Sequence, residues 1–323
     1  MTGTNLLNQK RIQVLIAFNL QDKLLAQVQQ NPSVEIVAIA DRTQLTDEQL
    51  QQAEVVLCWD FGPEYFTRCP RLRWIHKMST GVDRMLYPEL VHSSVILTSS
   101  SGAHAIPMAE HVIGVMLAIV KDLPGSFRKQ LSHTWVKEYT RELYGKVVGI
   151  VGTGHVGTEI AKRAKIMGMT VLGLRRRDLQ TDYVDQMFPR DRLHDLLNRS
   201  DFVVVALPLT PETRGLLGEA EFNAMRSDAY FINIARGSIV QQEALIQALQ
   251  NRHIAGAALD VAAVEPLSPD SPLWDMKNVI ITPHVSGHSV SVNARAIDLF
   301  CENLLRYQHG EPLVNVVDRQ SGY

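Results

Sequence analysis

Arg236, Glu265 and His284 are a cation, a carboxylate and an imidazole, and each follows a short apolar run that reads as a β-strand. Arg236 comes just past Tyr230 to Ile234, Glu265 past the run that ends near Asp260, and His284 just past Val279 to Ile281. Open parallel sheets bind ligands beyond the carboxyl ends of their strands, so all three stand where chemistry is done in such folds. A guanidinium can hold a carboxylate and polarise an adjacent carbonyl oxygen. Imidazole changes charge near neutral pH and can exchange a proton with that oxygen. A carboxylate beside the imidazole orients it and favours its charged form. Together they suit hydride transfer at a carbon bearing oxygen, because the charge left on oxygen calls for a cation and a proton donor. Spacing alone leaves a second reading open, since isolated Arg and Glu are mostly surface residues.

Gly152-Thr153-Gly154-His155-Val156-Gly157 matches GxGxxG. It follows the strand-like Val147 to Val151 and opens a helical stretch, Thr158 to Met167, which is the context a dinucleotide fingerprint requires. Gly152 permits a tight turn, Gly154 lets a pyrophosphate approach the backbone, and Gly157 allows close helix–strand packing. The amides of His155 and Val156 at the helix start add donors and a positive dipole end for phosphate. The next strand, Thr170 to Leu174, leads into Arg175-Arg176-Arg177. NAD-binding sheets place an acidic residue there for the ribose 2′-hydroxyl. A guanidinium instead pairs with a 2′-phosphate. Arg175 and Arg176 therefore predict a preference for NADP(H), with NAD(H) still possible.

Two βα series must position these residues. The first runs through Val14 to Ala17, Val34 to Ala40, Val55 to Trp59, Leu72 to His76 and Val95 to Thr98, with helical spacing at Leu24, Leu25 and Val28 and over Leu45 to Ala53. The helical Ala105 to Val120 follows, then a polar stretch, Lys121 to Tyr144, broken at Pro124-Gly125. The second series offers six strands: Val147 to Val151, Thr170 to Leu174, Phe202 to Ala206, Tyr230 to Ile234, Ala255 to Leu259 and Val279 to Ile281. A helix from about Ser289 to His309 and a last strand over Leu313 to Val317 close the chain. Alternating strands and helices predict an α/β protein with doubly wound parallel sheets.

Composition bounds the function classes. The 323 residues suit two domains. A net charge of -2 provides no basic field for nucleic acid or an anionic membrane. Cys58, Cys69 and Cys301 form no CxxC pair, so no disulfide framework or zinc cluster is expected and a reducing, cytoplasmic setting is. No signal-peptide core opens the chain, and Ala105 to Val120 falls short of the roughly 20 residues a bilayer span needs. His104 and His111 read as helix-contact histidines, so no metal site is expected.

The segments around the trio resemble the D-isomer-specific 2-hydroxyacid dehydrogenases, the family of glyoxylate/hydroxypyruvate reductases and of D-glycerate and phosphoglycerate dehydrogenases. The resemblance rests on Gly145 to Ile150 with the glycine loop, Ile232 to Gly237, Gly256 to Val261, Glu265-Pro266-Leu267 and Asn278 to Gly287. It implies two Rossmann-like lobes: a discontinuous, flavodoxin-like substrate domain, residues 1–102 and 290–323, and an NAD(P)-binding domain, residues 103–289. It implies that Arg236 binds the carboxylate of a small 2-keto or 2-hydroxy acid and polarises the 2-oxygen. His284 would be the acid–base and Glu265 its orienting partner. Leu207, Pro208, Thr213, Ile234, Ala235, Asp260 and Gly287 would line the cofactor. Thr80, Gly81 and Val82 resemble the loop whose amides cup the substrate carboxylate. Trp59, Lys77, Met78, Trp135 and Tyr139 are candidates to shape the pocket. The helix Ala105 to Val120 and the following arm imply a homodimer. Two alternatives stay open: a phosphite dehydrogenase of the same family, and a cofactor-sensing protein like the corepressors that share the fold. Formate is disfavoured, because the formate enzymes are expected to carry glutamine where Glu265 stands.

Overall fold

The computed structural model describes residues 11–175 and 182–323; Arg176 and Arg177 lie outside them. The chain divides into two compact units, one comprising the residues up to Ala103 together with Ser289–Tyr323, the other His104–His288.

In the first unit, β1 (Ile12–Ile16), β2 (Val34–Ala38), β3 (Val55–Cys58), β4 (Trp74–Lys77) and β5 (Ile96–Ser99) form one parallel sheet in the order β2-β1-β3-β4-β5. This is a flavodoxin-like order. Every residue of β3 and β4 is buried, as expected where helices cover both faces. The period-two alternation divides the side chains between two cores. Leu15, Val56, Ile75 and Leu97 pack with Leu50, Phe61 and Leu90. Val14, Ile16, Leu57 and Trp74 pack with Ala296, Ile297, Phe300 and Leu304 of the helix Val292–His309. Trp74 stacks on Phe300 at 5.2 Å and on Tyr307 at 5.6 Å between ring centroids. The strand expected over Leu313 to Val317 reduces to a single antiparallel bridge between Val316 and Thr98. Asn315 adopts a φ of +56° there, which breaks the extended run, and its side chain donates to Ser101 O at 2.8 Å.

Among the described residues the second unit holds seven parallel strands: β6 (Val147–Val151), β7 (Thr170–Leu174), β8 (Gln186–Phe188), β9 (Phe202–Val205), β10 (Tyr230–Asn233), β11 (Gly256–Leu259) and β12 (Val279–Ile281). Their order is β12-β11-β10-β9-β6-β7-β8. The expectation of six strands omitted β8, which is three residues long and buries only Phe188 fully. The order reverses between β6 and β9, and that switch point puts the loop after β6 at the crevice where doubly wound sheets bind dinucleotides. On one face Ala109, Val112 and Met116 of the helix Ala105–Val120 pack with Ile160, Ala161 and Ala164 of the helix His155–Ile166. The opposite face packs Leu196, Phe222, Leu245 and Leu249 against Val203, Val205 and Phe231.

Pro124-Gly125 does not break the polar stretch; it lies in the first turn of a helix, Leu123–Leu131. Proline is tolerated there because a first-turn N–H has no intrahelical partner. Asp122 caps the helix by accepting from the Gly125 amide at 3.1 Å.

Candidate active site

The glycine loop is built as its spacing predicts. Gly152 has φ +108°, and a Cβ on it would lie 2.6 Å from Ala206 O. A Cβ on Gly157 would lie 2.1 Å from Gly152 O, so both positions exclude a side chain on the protein's own account. At Gly154 a Cβ would meet, among the described residues and apart from its chain neighbours, nothing within 4 Å. What glycine preserves there is open space over the start of a helix, a fit for a pyrophosphate. The helix starts at His155, three residues before the expected Thr158. No side chain caps it, which leaves its first amides available. Arg175 sits directly beyond β7, half-buried, its amide donating to Phe188 O at 3.2 Å. Between Leu207 and Thr213 the hydroxyl of Thr213 donates to Pro208 O at 2.7 Å and accepts from Thr210 N at 2.8 Å, fixing that loop's shape.

Arg236 is held by the residue that ends β10. Asn233 is buried; its Oδ1 accepts from Ala235 N at 3.0 Å and its Nδ2 donates to Arg236 O at 3.2 Å. Ile234 and Ala235 are buried. The turn then touches the chain leading to Glu265: a Cβ on Gly237 would lie 1.9 Å from the Ala262 carbonyl carbon. Arg236 itself is half-buried, with one guanidinium N–H donating to Ala235 O at 2.9 Å.

Glu265 and His284 form the central pair. His284 Nδ1 lies 2.7 Å from Glu265 Oε2, while Glu265 Oε1 accepts from Ala262 N at 3.2 Å. A carboxylate can only accept, so Nδ1 carries the proton and Nε2 is the ring atom left for exchange. His284 has φ +55°, which is sparsely populated by non-glycine residues. Asp260 holds it there. Its backbone oxygen accepts from His284 N at 2.8 Å. Its carboxylate, almost wholly buried, accepts from Thr282 Oγ1 at 2.6 Å and from the amides of Val285 and Ser286 at 2.9 Å each. Burial pushes the Asp260 carboxyl up, but hydrogen bonds from Ser286, Thr282 and Val285 outweigh it and hold the group below its ordinary value. Asp260, expected from the sequence beside the cofactor, also has its oxygens engaged by the turn that carries His284.

In the first unit, Thr80 is exposed, Gly81 half-buried and Val82 buried, and Val82 O accepts from Met85 N at 2.7 Å. Lys77 is buried and pairs with Asp60 at 2.5 Å, also donating to Trp59 O. Met78 is fully buried core. Beside them His76 lies between Thr98 Oγ1 at 2.8 Å and Ser100 Oγ at 3.0 Å, and burial lowers it to about 3. In the second unit Trp135 and Tyr139 are exposed. Sequence reasoning missed Asn233, Thr282 and the Asp60–Lys77 pair. Among the described residues no cluster of His, Cys, Asp or Glu could hold a metal ion, and no helix is long and apolar enough to cross a membrane.

A dinucleotide crevice beside an Arg/Glu/His set defines a nicotinamide-dependent oxidoreductase, and comparison with known proteins agrees. Residues 113–286 match the family model described as D-isomer specific 2-hydroxyacid dehydrogenase, NAD binding domain. A glyoxylate reductase of Korarchaeum cryptofilum is 32% identical over 266 residues, 80% of this chain and 79% of that protein. A D-isomer specific 2-hydroxyacid dehydrogenase from Xanthobacter autotrophicus Py2, solved in complex with NADPH and MES, is 32% identical with a TM-score of 0.87, covering 98% of this chain and all of that one. An NADPH-dependent glyoxylate/hydroxypyruvate reductase from Sinorhizobium meliloti, solved with NADP and sulfate, is 30% identical with a TM-score of 0.85, over 97% of this chain and all of that one. The chain belongs to the D-isomer specific 2-hydroxyacid dehydrogenase family and is an oxidoreductase.

Proposed function

We propose that the protein reduces a small 2-keto acid, of the glyoxylate or hydroxypyruvate kind, to the D-2-hydroxy acid or runs the reverse reaction, with NADP(H) preferred over NAD(H). The observation that carries the reading is the 2.7 Å bond from His284 Nδ1 to Glu265. It fixes the imidazole and leaves Nε2 to give a proton to the 2-oxygen during reduction, or to take it back during oxidation.

The nicotinamide cofactor, when bound, supplies or accepts the hydride. The chain's own residues do the rest. Gly152, Gly154 and Gly157 shape the phosphate turn, and the amides of His155 and Val156 face it. Leu207, Pro208, Thr213, Ile234, Ala235 and Gly287 complete the cofactor's surroundings. Arg236 pairs with the substrate carboxylate and stabilises the charge developing on oxygen. Thr80, Gly81 and Val82 offer backbone amides to an anionic substrate group. Support for NADP(H) comes from Arg175 at the end of β7 and from the relatives named above that were solved with NADPH or NADP. We place the enzyme in the cytoplasm as a homodimer.

The test is NADPH oxidation over glyoxylate, hydroxypyruvate, pyruvate, phenylpyruvate and 2-ketogluconate, with NADH in parallel. Turnover of at least one acid, faster with NADPH, is expected. Reduction of NADP by phosphite instead would identify a phosphite dehydrogenase. Cofactor binding without any turnover would identify a cofactor sensor.

A further inference from the structure

The turn that carries His284 is tied to the helix Ala105–Val120 through two side chains that have no part in the chemistry described above. Thr282 Oγ1 lies 2.6 Å from Asp260 Oδ1 and 3.4 Å from His111 Nε2. A hydroxyl has one proton. A buried carboxylate can only accept, so that proton goes to Asp260, and Thr282 Oγ1 must accept from His111. His111 therefore carries its proton on Nε2. It is half-buried, and burial lowers its basicity against the opposing pull of Asp260.

We propose that His111 and Thr282 are positioning residues for the acid–base step, acting in series through Asp260 to hold His284 in its strained backbone conformation. The proposal rests on the reading of His284 as the acid–base. The geometry is a chain: His111 Nε2–H to Thr282 Oγ1, Thr282 Oγ1–H to Asp260 Oδ1, and Asp260 to the amides of Val285 and Ser286 on the far side of His284. Oδ1 receives both the Thr282 hydroxyl and the Val285 amide, so these two bonds set which way the carboxylate plane faces. Without the hydroxyl the carboxylate is held by the Val285 and Ser286 amides alone, and the turn this loosens carries His284 at φ +55°. A small displacement of an acid–base group suppresses turnover more than binding.

The role predicts non-additivity. The hydrogen-bonded path from His111 to His284 runs through Thr282, so removing both should cost no more than removing Thr282 alone. The experiment measures kcat, KM for the 2-keto acid and the dissociation constant of NADPH by fluorescence. It compares wild type with Thr282→Val, Thr282→Ser, His111→Leu and the His111→Leu/Thr282→Val double variant. His284→Ala serves as the control for the underlying reading. We expect Thr282→Val to lower kcat about tenfold, with KM and the NADPH constant each within about threefold. Thr282→Ser should recover most of that loss. His111→Leu should lower kcat by a smaller factor, and the double variant should match Thr282→Val.

Unchanged kcat in Thr282→Val, with His284→Ala inactive, would reject the relay and leave the proposed function standing. Loss of kcat and NADPH binding together, or additive effects in the double variant, would also reject it in favour of a general structural role. Near-normal turnover in His284→Ala would overturn the proposed function, and the relay with it. If Thr282→Val does not fold, His111→Leu alone decides, because it leaves the turn intact: an unchanged kcat rejects the relay.

Discussion

At the scale of single residues, the division of labour within the Arg/Glu/His set can be separated by measurement. His284→Ala removes the proposed proton donor and leaves the glycine loop untouched. Its kcat should fall on the order of 100- to 10,000-fold, with NADPH affinity, measured by fluorescence, changed by less than about threefold. Glu265→Gln keeps a hydrogen-bond acceptor at the 2.7 Å contact but removes its charge. A charge-assisted bond contributes roughly 1.5–3 kcal/mol, so a smaller loss, about ten- to a hundredfold, is expected. Arg175 reports on a different function. Arg175→Asp should lower kcat/KM with NADPH about tenfold or more, and leave NADH equal or improved. An NADPH preference that survives the substitution would move the 2′-phosphate contact elsewhere.

At the scale of elements, the site is a set of strand ends joined by short turns, and buried polar groups hold the turns. Asp260 is the clearest case, because four turn residues depend on it. Its carboxyl lies below the ordinary value of 3.8 in the folded chain. A depressed carboxylate stabilises the fold fully above the unfolded value, and that contribution fades as pH falls through the folded one. Asp260→Asn loses it at every pH and turns an N–H toward donors. We expect about 1–3 kcal/mol of destabilisation near neutrality, read as a lower melting temperature. The gap from wild type should narrow below about pH 4. A gap constant down to pH 3 would show that the charge contributes nothing.

The same contrast explains what was legible in the sequence. Gly152, Gly154 and Gly157, and the strands around them, follow from local spacing and periodicity. Arg236, Glu265 and His284 follow from their places after apolar runs, sharpened by the family resemblance. Asn233 and Thr282 act across turns whose shape depends on tertiary contacts, and nothing in their spacing marks them. β8 is too short to show periodicity. The helix Leu123–Leu131 was hidden because Pro124 reads as a breaker unless its place in a first turn is known. Trp135 and Tyr139, pocket candidates by their aromatic type, are exposed in the single chain, which spacing does not show.

At the scale of the whole molecule, that exposure becomes an argument about assembly. The arm after the helix Ala105–Val120 is fixed at its base, where Arg141 N donates to Val120 O and Lys121 Nζ to Arg141 O, both at 2.9 Å. Beyond that anchor it presents Phe127, Trp135, Tyr139 and Tyr144 largely exposed. Aromatic side chains bury about 150–250 Å² each, so these four alone approach the roughly 800 Å² per partner of a standard protein interface. An apolar surface of that size concentrated in one segment favours a second copy of the chain as its cover. Light scattering should return twice the 36.2 kDa chain mass. Replacing Trp135 and Tyr139 by serine should shift the mass toward a single chain and leave NADPH binding measurable, because neither residue belongs to the glycine loop or the Asp260 turn. A wild-type mass of one chain at micromolar concentration would sink the assembly, and the arm's aromatics would then need another partner.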